Sequence, residues 1–140
     1  MNFARLSTPQ KTSAIAMLVI VVGAFLPWAS LLGINAYGIQ GDGVLTLILA
    51  LAGLVILALT SALLRPDRTQ NKASAITSLV LAAVVTLIGL NDTTSFAAIG
   101  IYLTLFGGIA WVVGAGWQLA LRSTSVAETD TATPDAGQPT

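Results

Sequence analysis

Arg65-Pro66-Asp67-Arg68-Thr69-Gln70-Asn71-Lys72 is the one charged, polar run inside an otherwise apolar body. On each side of it lies the same arrangement: an apolar run, a short loop without a basic residue, and a second apolar run. The octapeptide therefore reads as a loop joining two helical hairpins. Pro66 cannot continue a helix, because it lacks the backbone N–H and clashes with the preceding turn. Arg65, Arg68 and Lys72 carry charges that a hydrocarbon layer resists, so they hold this loop at a membrane face.

Working outward, four apolar runs are long enough to cross a bilayer: residues 13–32, 44–64, 73–90 and 97–121. A run of 20 residues at the helical rise covers about 30 Å, the thickness of a hydrocarbon core. We therefore expect an all-α membrane protein with four transmembrane helices in two antiparallel hairpins. Residues 1–12 read as a short polar N-terminus, and residues 122–140, rich in Ser, Thr, Pro and acidic groups, as a disordered tail. The first run resembles the apolar core of a signal peptide, but it is longer than the usual 7–15 residues of that core. Pro27 also falls close to the best small residue for cleavage, so we read an uncleaved helix. Pro27 kinks or ends this helix, and Trp28 suits the headgroup region as an interface anchor. Ile34, Tyr37 and Ile39, among the loop glycines that follow, suit a small surface ribbon.

Composition agrees. Of 140 residues, 55% are hydrophobic and only 9% charged, where a soluble domain needs about 25%. The formal net charge is zero, so no overall basic field attracts nucleic acid. There is no Cys and no His. That removes disulfides, thiolate ligands, thiol nucleophiles and the commonest proton shuttle.

Orientation follows from the basic residues, which are enriched in cytoplasmic loops. Arg5, Lys11, Arg65, Arg68, Lys72 and Arg122 all fall on one side of the four-span layout, while the other side carries Asp42 and Asp92. Both termini are thus expected in the cytoplasm. The two hairpins also share sequence. Lys11 to Val19 matches Lys72 to Val80 at six of nine positions, and Leu45-Thr46-Leu47 corresponds to Leu103-Thr104-Leu105. A parallel internal repeat, related by an axis along the membrane normal, fits this pattern, although apolar segments with a small alphabet also match easily.

Small residues recur at helical spacing. Ser74, Ser78, Ala82 and Thr86 form one stripe, and Gly100, Thr104, Gly108 and, two turns on, Gly116 form another. Such stripes let helix backbones approach closely in lipid, where no hydrophobic force drives helices together. We expect the second stripe to lie against Ser78 and Ala82. The competing reading makes the Ser/Thr face the wall of a pore. Chemistry is sparse: no Asp, Glu, Lys, Arg or His lies within the four runs, whereas intramembrane ionisable groups mark most transport paths. Gln118 is the most polar side chain inside a run and reads as an interfacial amide. Asp42 and Asp92 share the outer face, but two carboxylates fall short of the six or more oxygens a hard cation takes. They read instead as turn and cap residues. No catalytic, cofactor or metal residues are expected.

Phe25-Leu26-Pro27-Trp28-Ala29-Ser30, with Gly41-Asp42-Gly43-Val44-Leu45-Thr46, resembles a recurrent pattern in small uncharacterised bacterial membrane proteins, commonest in high-GC Gram-positive bacteria. Gly100-Ile101-Tyr102-Leu103-Thr104-Leu105-Phe106-Gly107-Gly108 is similar to theirs too. The resemblance covers most of residues 13–121 and implies four helices in a plasma membrane, with no activity attached. Small multidrug transporters carry a Glu in their first helix and claudin-like proteins carry a W-G-L-W motif with two Cys; both features are missing here. The expected function is a non-catalytic accessory or structural subunit. Its partners are membrane lipids and another membrane protein or further copies of itself. The alternative is an oligomeric channel or small-solute facilitator lined by the Ser/Thr residues of the third and fourth helices.

Overall fold

The computed structural model describes residues 6–61, 71–93 and 97–131. Arg65 and Arg68, with most of the octapeptide, and Arg5 lie outside them. The element order is α1 (Thr8–Phe25), β1 (Pro27–Leu31), β2 (Ile34–Tyr37), a short 3-10 turn (Gly38–Gln40), α2 (Gly43–Thr60), α3 (Lys72–Asn91) and α4 (Ile99–Thr131). Among the described residues four helices are long and apolar enough to cross a membrane.

The first helix is displaced from its expected span. It begins at Thr8, because Gln10 Oε1 accepts the Ser7 backbone N–H at 3.0 Å and Pro9 occupies the first turn. It ends at Phe25, because Pro27 drives Leu26 into the extended region (φ −86°, ψ 164°). Residues 27–31, expected to complete the helix, form β1 instead. β1 pairs antiparallel with β2 around Leu32-Gly33, whose positive φ values (50° and 83°) suit a tight two-residue hairpin turn. The ribbon thus exists, but Ile39 lies beyond it in the 3-10 turn. The register slips between Pro27↔Tyr37 and Ala29↔Ala36, which leaves Trp28 as the extra, bulged residue.

α3 starts at Lys72, capped by Asn71, whose Oδ1 accepts the Ser74 N–H at 2.8 Å. α4 runs on to Thr131, through residues read from the sequence as a disordered tail. The core holds Met17, Ile20, Ala50, Ala82, Val85, Trp111 and Ala115, drawn from all four helices. α4 packs chiefly on α1 and α3, and α2 touches its neighbours more lightly. The outward faces are lined by Leu, Ile, Val and Phe, as in Ile48, Leu87 and Phe106.

Candidate functional site: polar groups and close approaches inside the bundle

Two tryptophans organise the interior, and both depend on glycine. Trp28 is buried, with Nε1 donating to the Gly23 carbonyl at 3.0 Å. Its ring is thus packed inside the chain rather than on its outer surface. The bulge turns it inward, over Gly38 and Gly100. A Cβ on Gly100 would meet Trp28 Cδ1 at 2.6 Å and the Gly23 carbonyl at 2.8 Å. The Trp28 carbonyl accepts the Ala98 N–H at 2.8 Å, and Ala29 bridges Ala97. The connection after α1 and the connection before α4 therefore meet at one end of the bundle.

Trp111 is fully buried, its Nε1 donating to Ser78 Oγ at 2.9 Å. A Cβ on Gly53 of α2 would collide with its ring. Ser78 is thus a hydrogen-bond acceptor for a core aromatic. Ser13 Oγ pairs across helices as well, accepting from Gln118, whereas four other hydroxyls turn back on their own helices or the residues that cap them. Ser74 Oγ donates to the Asn71 carbonyl, Thr86 to Ala82, Thr104 to Gly100 and Thr46 to Gly43, all at 2.8–3.0 Å.

The stripe on α4 divides rather than packing on one partner. A Cβ on Gly108 would meet Thr86 of α3 at 2.6 Å from Oγ1 and 3.1 Å from Cα. Gly100 and Thr104 face α1 and Trp28 instead: Thr104 Oγ1 lies 3.0 Å from a Cβ built on Gly23. Gly116 meets nothing within 4 Å and is no close-packing residue. Close approach comes also from Gly114, which the sequence pairs with Ala110 as small residues, and from Gly107 and Gly89, which the spacing argument passed over. Gly107 lies against Ile20 and the Ala16 carbonyl, Gly114 against Ser13 and the Pro9 carbonyl, and Gly89 against the Leu105 backbone. The drift of 3.6 residues per turn against a spacing of four explains the split. At about 40° of drift per four-residue step, the stripe rotates by about 80° from Gly100 to Gly108 and about 160° to Gly116, enough to leave one neighbour for the next.

No family model, curated protein or solved structure matches this chain.

Gln118 departs most from its sequence reading. It is only 5% exposed, with Nε2 donating to Ser13 Oγ at 3.2 Å and to the Pro9 carbonyl at 3.4 Å. Its Oε1 is buried with no hydrogen-bond partner. An amide placed at a membrane face by sequence position is here shut between α1 and α4. Helical phase would have flagged this: Gln118 lies seven residues beyond Trp111 and four beyond Gly114, on their inward face. Of the remaining expected anchors, Lys72 is exposed at the start of α3 and Arg122 is half-buried near the end of the α1–α4 contact.

At the opposite end, partial burial pushes the Asp92 carboxyl above its ordinary range. The charge of Asp42 adds to the shift, and the Asn91 amide pulls the other way. The Asp42 carboxylate is therefore within electrostatic reach of Asp92. Among the described residues no three potential metal ligands cluster.

Proposed function

We propose that this chain is a non-catalytic membrane subunit that packs against another membrane protein or a second copy of itself, through the outer face of α2. The carrying observation is a mismatch within that helix. α2 is the most apolar of the four and the least buried inside the chain, at 28%, against 33% for α3 and 44% for α1 and for the membrane-length part of α4. Leu45, Ile48, Leu51, Val55 and Leu59 stand exposed along it. The interior is occupied: Ser78 bonds Trp111, and the remaining stripe hydroxyls are held by their own helices. That favours a packing role over a channel lined by these residues.

The same reading includes two antiparallel hairpins with both termini in the cytoplasm of a bacterial plasma membrane. Contact order supports the arrangement. Gly89 meets Leu105, Thr86 meets Gly108 and Ser78 meets Trp111, so position falls along α3 as it rises along α4. The internal repeat gains support from three correspondences. Thr46 and Thr104 are both fully buried and both bond the carbonyl three or four residues back. Ser13 and Ser74 are both buried on matching turns of α1 and α3. Gly53 and Trp111, each seven residues beyond its Thr, touch one another, as equivalent residues do near a two-fold axis.

The test uses photo-crosslinking residues introduced at Leu51 or Val55 in cells, compared with Val80 on α3 and Phe106 on α4. A discrete protein adduct, hetero- or homodimeric, from α2 alone is expected. Lipid adducts alone from every position would refute the docking face.

A further inference from the structure

Beyond that subunit role, we infer that the β1–β2 hairpin is a lipid-binding wedge, whose tip and one face enter the acyl region of the outer leaflet beside the bundle. The surface is made by Ala29, Leu32, Ile34 and Ala36, which line a groove of about 250 Å³. Leu32 is 95% exposed and Ile34 77%.

The ribbon has two chemically distinct faces. Ala29 pairs with Ala36, Ser30 with Asn35 and Leu31 with Ile34. Side chains alternate along a strand, so Ala29, Ile34 and Ala36 share one face and Ser30 and Asn35 the other. The tip departs from what the turn alone would select. Leu32 and Gly33 both have positive φ, a pattern that favours Asn-Gly. A bulky leucine is strained in the left-handed region, and at 95% exposure Leu32 gains almost no packing within the chain in return. An apolar side chain held there at a conformational cost is placed to meet something outside the chain.

Three observations favour lipid as that occupant. No charged residue lies between Lys11 and Asp42, so nothing in the hairpin opposes an apolar layer. The base of the hairpin lies at the boundary of that layer. Gly38 packs on Trp28 and the Ala24 carbonyl, and Gly43 packs on Gly38, which sets the exposed Asp42 beside the hairpin's base. Half-exposed Tyr37, at the end of β2, is of the type enriched at headgroup level. The surface is also small. A stable protein contact engages about 20–30 residues a side, whereas four side chains line this groove. Exposed Phe25 at the end of α1 continues the same apolar surface down the bundle. The placement rests on the membrane-spanning reading above.

The experiment uses the full chain in phosphatidylcholine liposomes, with an environment-sensitive dye on single cysteines at Ile34, Asn35 or Val80. Quenching is read from phosphatidylcholine carrying a nitroxide on its acyl chain and from iodide on both sides of the membrane. The dye at Ile34 should be quenched by the nitroxide lipid and shielded from iodide, and the dye at Asn35 should show the reverse. Leu32→Asn suits the turn better, so its melting transition in detergent should match or exceed wild type. In liposomes it should shift the dye at Ile34 toward iodide, lowering the inserted-to-free ratio by about tenfold, the effect of losing one buried leucine side chain. Iodide access at Ile34 equal to that at Asn35 would overturn the wedge. Shielding of Ile34 from both quenchers would overturn lipid as the occupant and assign the face to a second copy. The dye at Val80, on the outward face of α3, reports separately on the spanning reading. Iodide access there would overturn that reading and the wedge with it, whereas nitroxide quenching at Val80 with a water-exposed Ile34 overturns the wedge alone.

Discussion

The same substitution at two glycines of one helix should have opposite effects. Gly108→Ala places a methyl 2.6 Å from Thr86 Oγ1, 3.1 Å from its Cα and 3.2 Å from its N. Rotating the Thr86 side chain does not relieve this. It would break the bond to the Ala82 carbonyl (2.8 Å) and leave the backbone contacts in place. α3 and α4 must therefore move apart by several tenths of an ångström. Overpacking of that kind costs about 1–3 kcal/mol, set against up to about 1 kcal/mol gained from replacing a helical glycine. Gly116→Ala gains the same propensity and meets nothing within 4 Å. The two variants should differ by about 1–3 kcal/mol, with Gly116→Ala at or above wild type. Reversible unfolding in mixed micelles reads this directly. Gly108→Leu extends the series and should destabilise more than Leu105→Ala, because lipid replaces much of what a partly exposed leucine loses. Equal stability of Gly108→Ala and Gly116→Ala would refute the close α3–α4 approach.

Other outcomes follow from the two tryptophans and the acidic loops. Trp28→Ala should lower stability by about 3–5 kcal/mol, as for a buried aromatic rather than a surface anchor, in the same unfolding assay. Gly53→Val should displace Trp111 and break its bond to Ser78, giving a red-shifted, more quenchable tryptophan emission than wild type. Asp92 has its folded pKa raised, so the fold holds that proton more tightly than the unfolded chain does. Its contribution is present below the unfolded pKa and is lost as pH rises through the raised value. Asp92→Asn should therefore flatten the stability-against-pH curve just above the usual carboxylate range, as read by melting temperature from pH 3 to 7 in steps of about one unit.

The span count was legible because a hydrocarbon layer imposes length and charge rules that few sequences meet by accident. Helix ends were harder. Ser7-Thr8-Pro9-Gln10 carries a capping box and an early proline, both readable, yet the polar residues around them mask the start of α1. Pro27 announced the end of α1 correctly, but no local signal says that Trp28 would bulge inward: that depends on Gly23, Gly38 and Gly100, which meet only in the fold. The small-residue stripe was visible as a pattern and misassigned as a partner surface, because spacing alone does not say which neighbour each residue faces. Gln118 shows the converse. Its place near a helix end suggested water, while its phase with Trp111 and Gly114 put it inside.

The central claim is a four-span chain whose two termini share a face opposite the β1–β2 hairpin. The absence of native cysteine makes the test clean. Single cysteines at Thr12, Asn35, Thr93 and Ser123 are exposed to a membrane-impermeant maleimide in intact cells and again after permeabilisation. Asn35→Cys and Thr93→Cys should label in intact cells, and Thr12→Cys and Ser123→Cys only after permeabilisation. Labelling of Thr12→Cys or Ser123→Cys in intact cells, or protection of Asn35→Cys or Thr93→Cys, would contradict it.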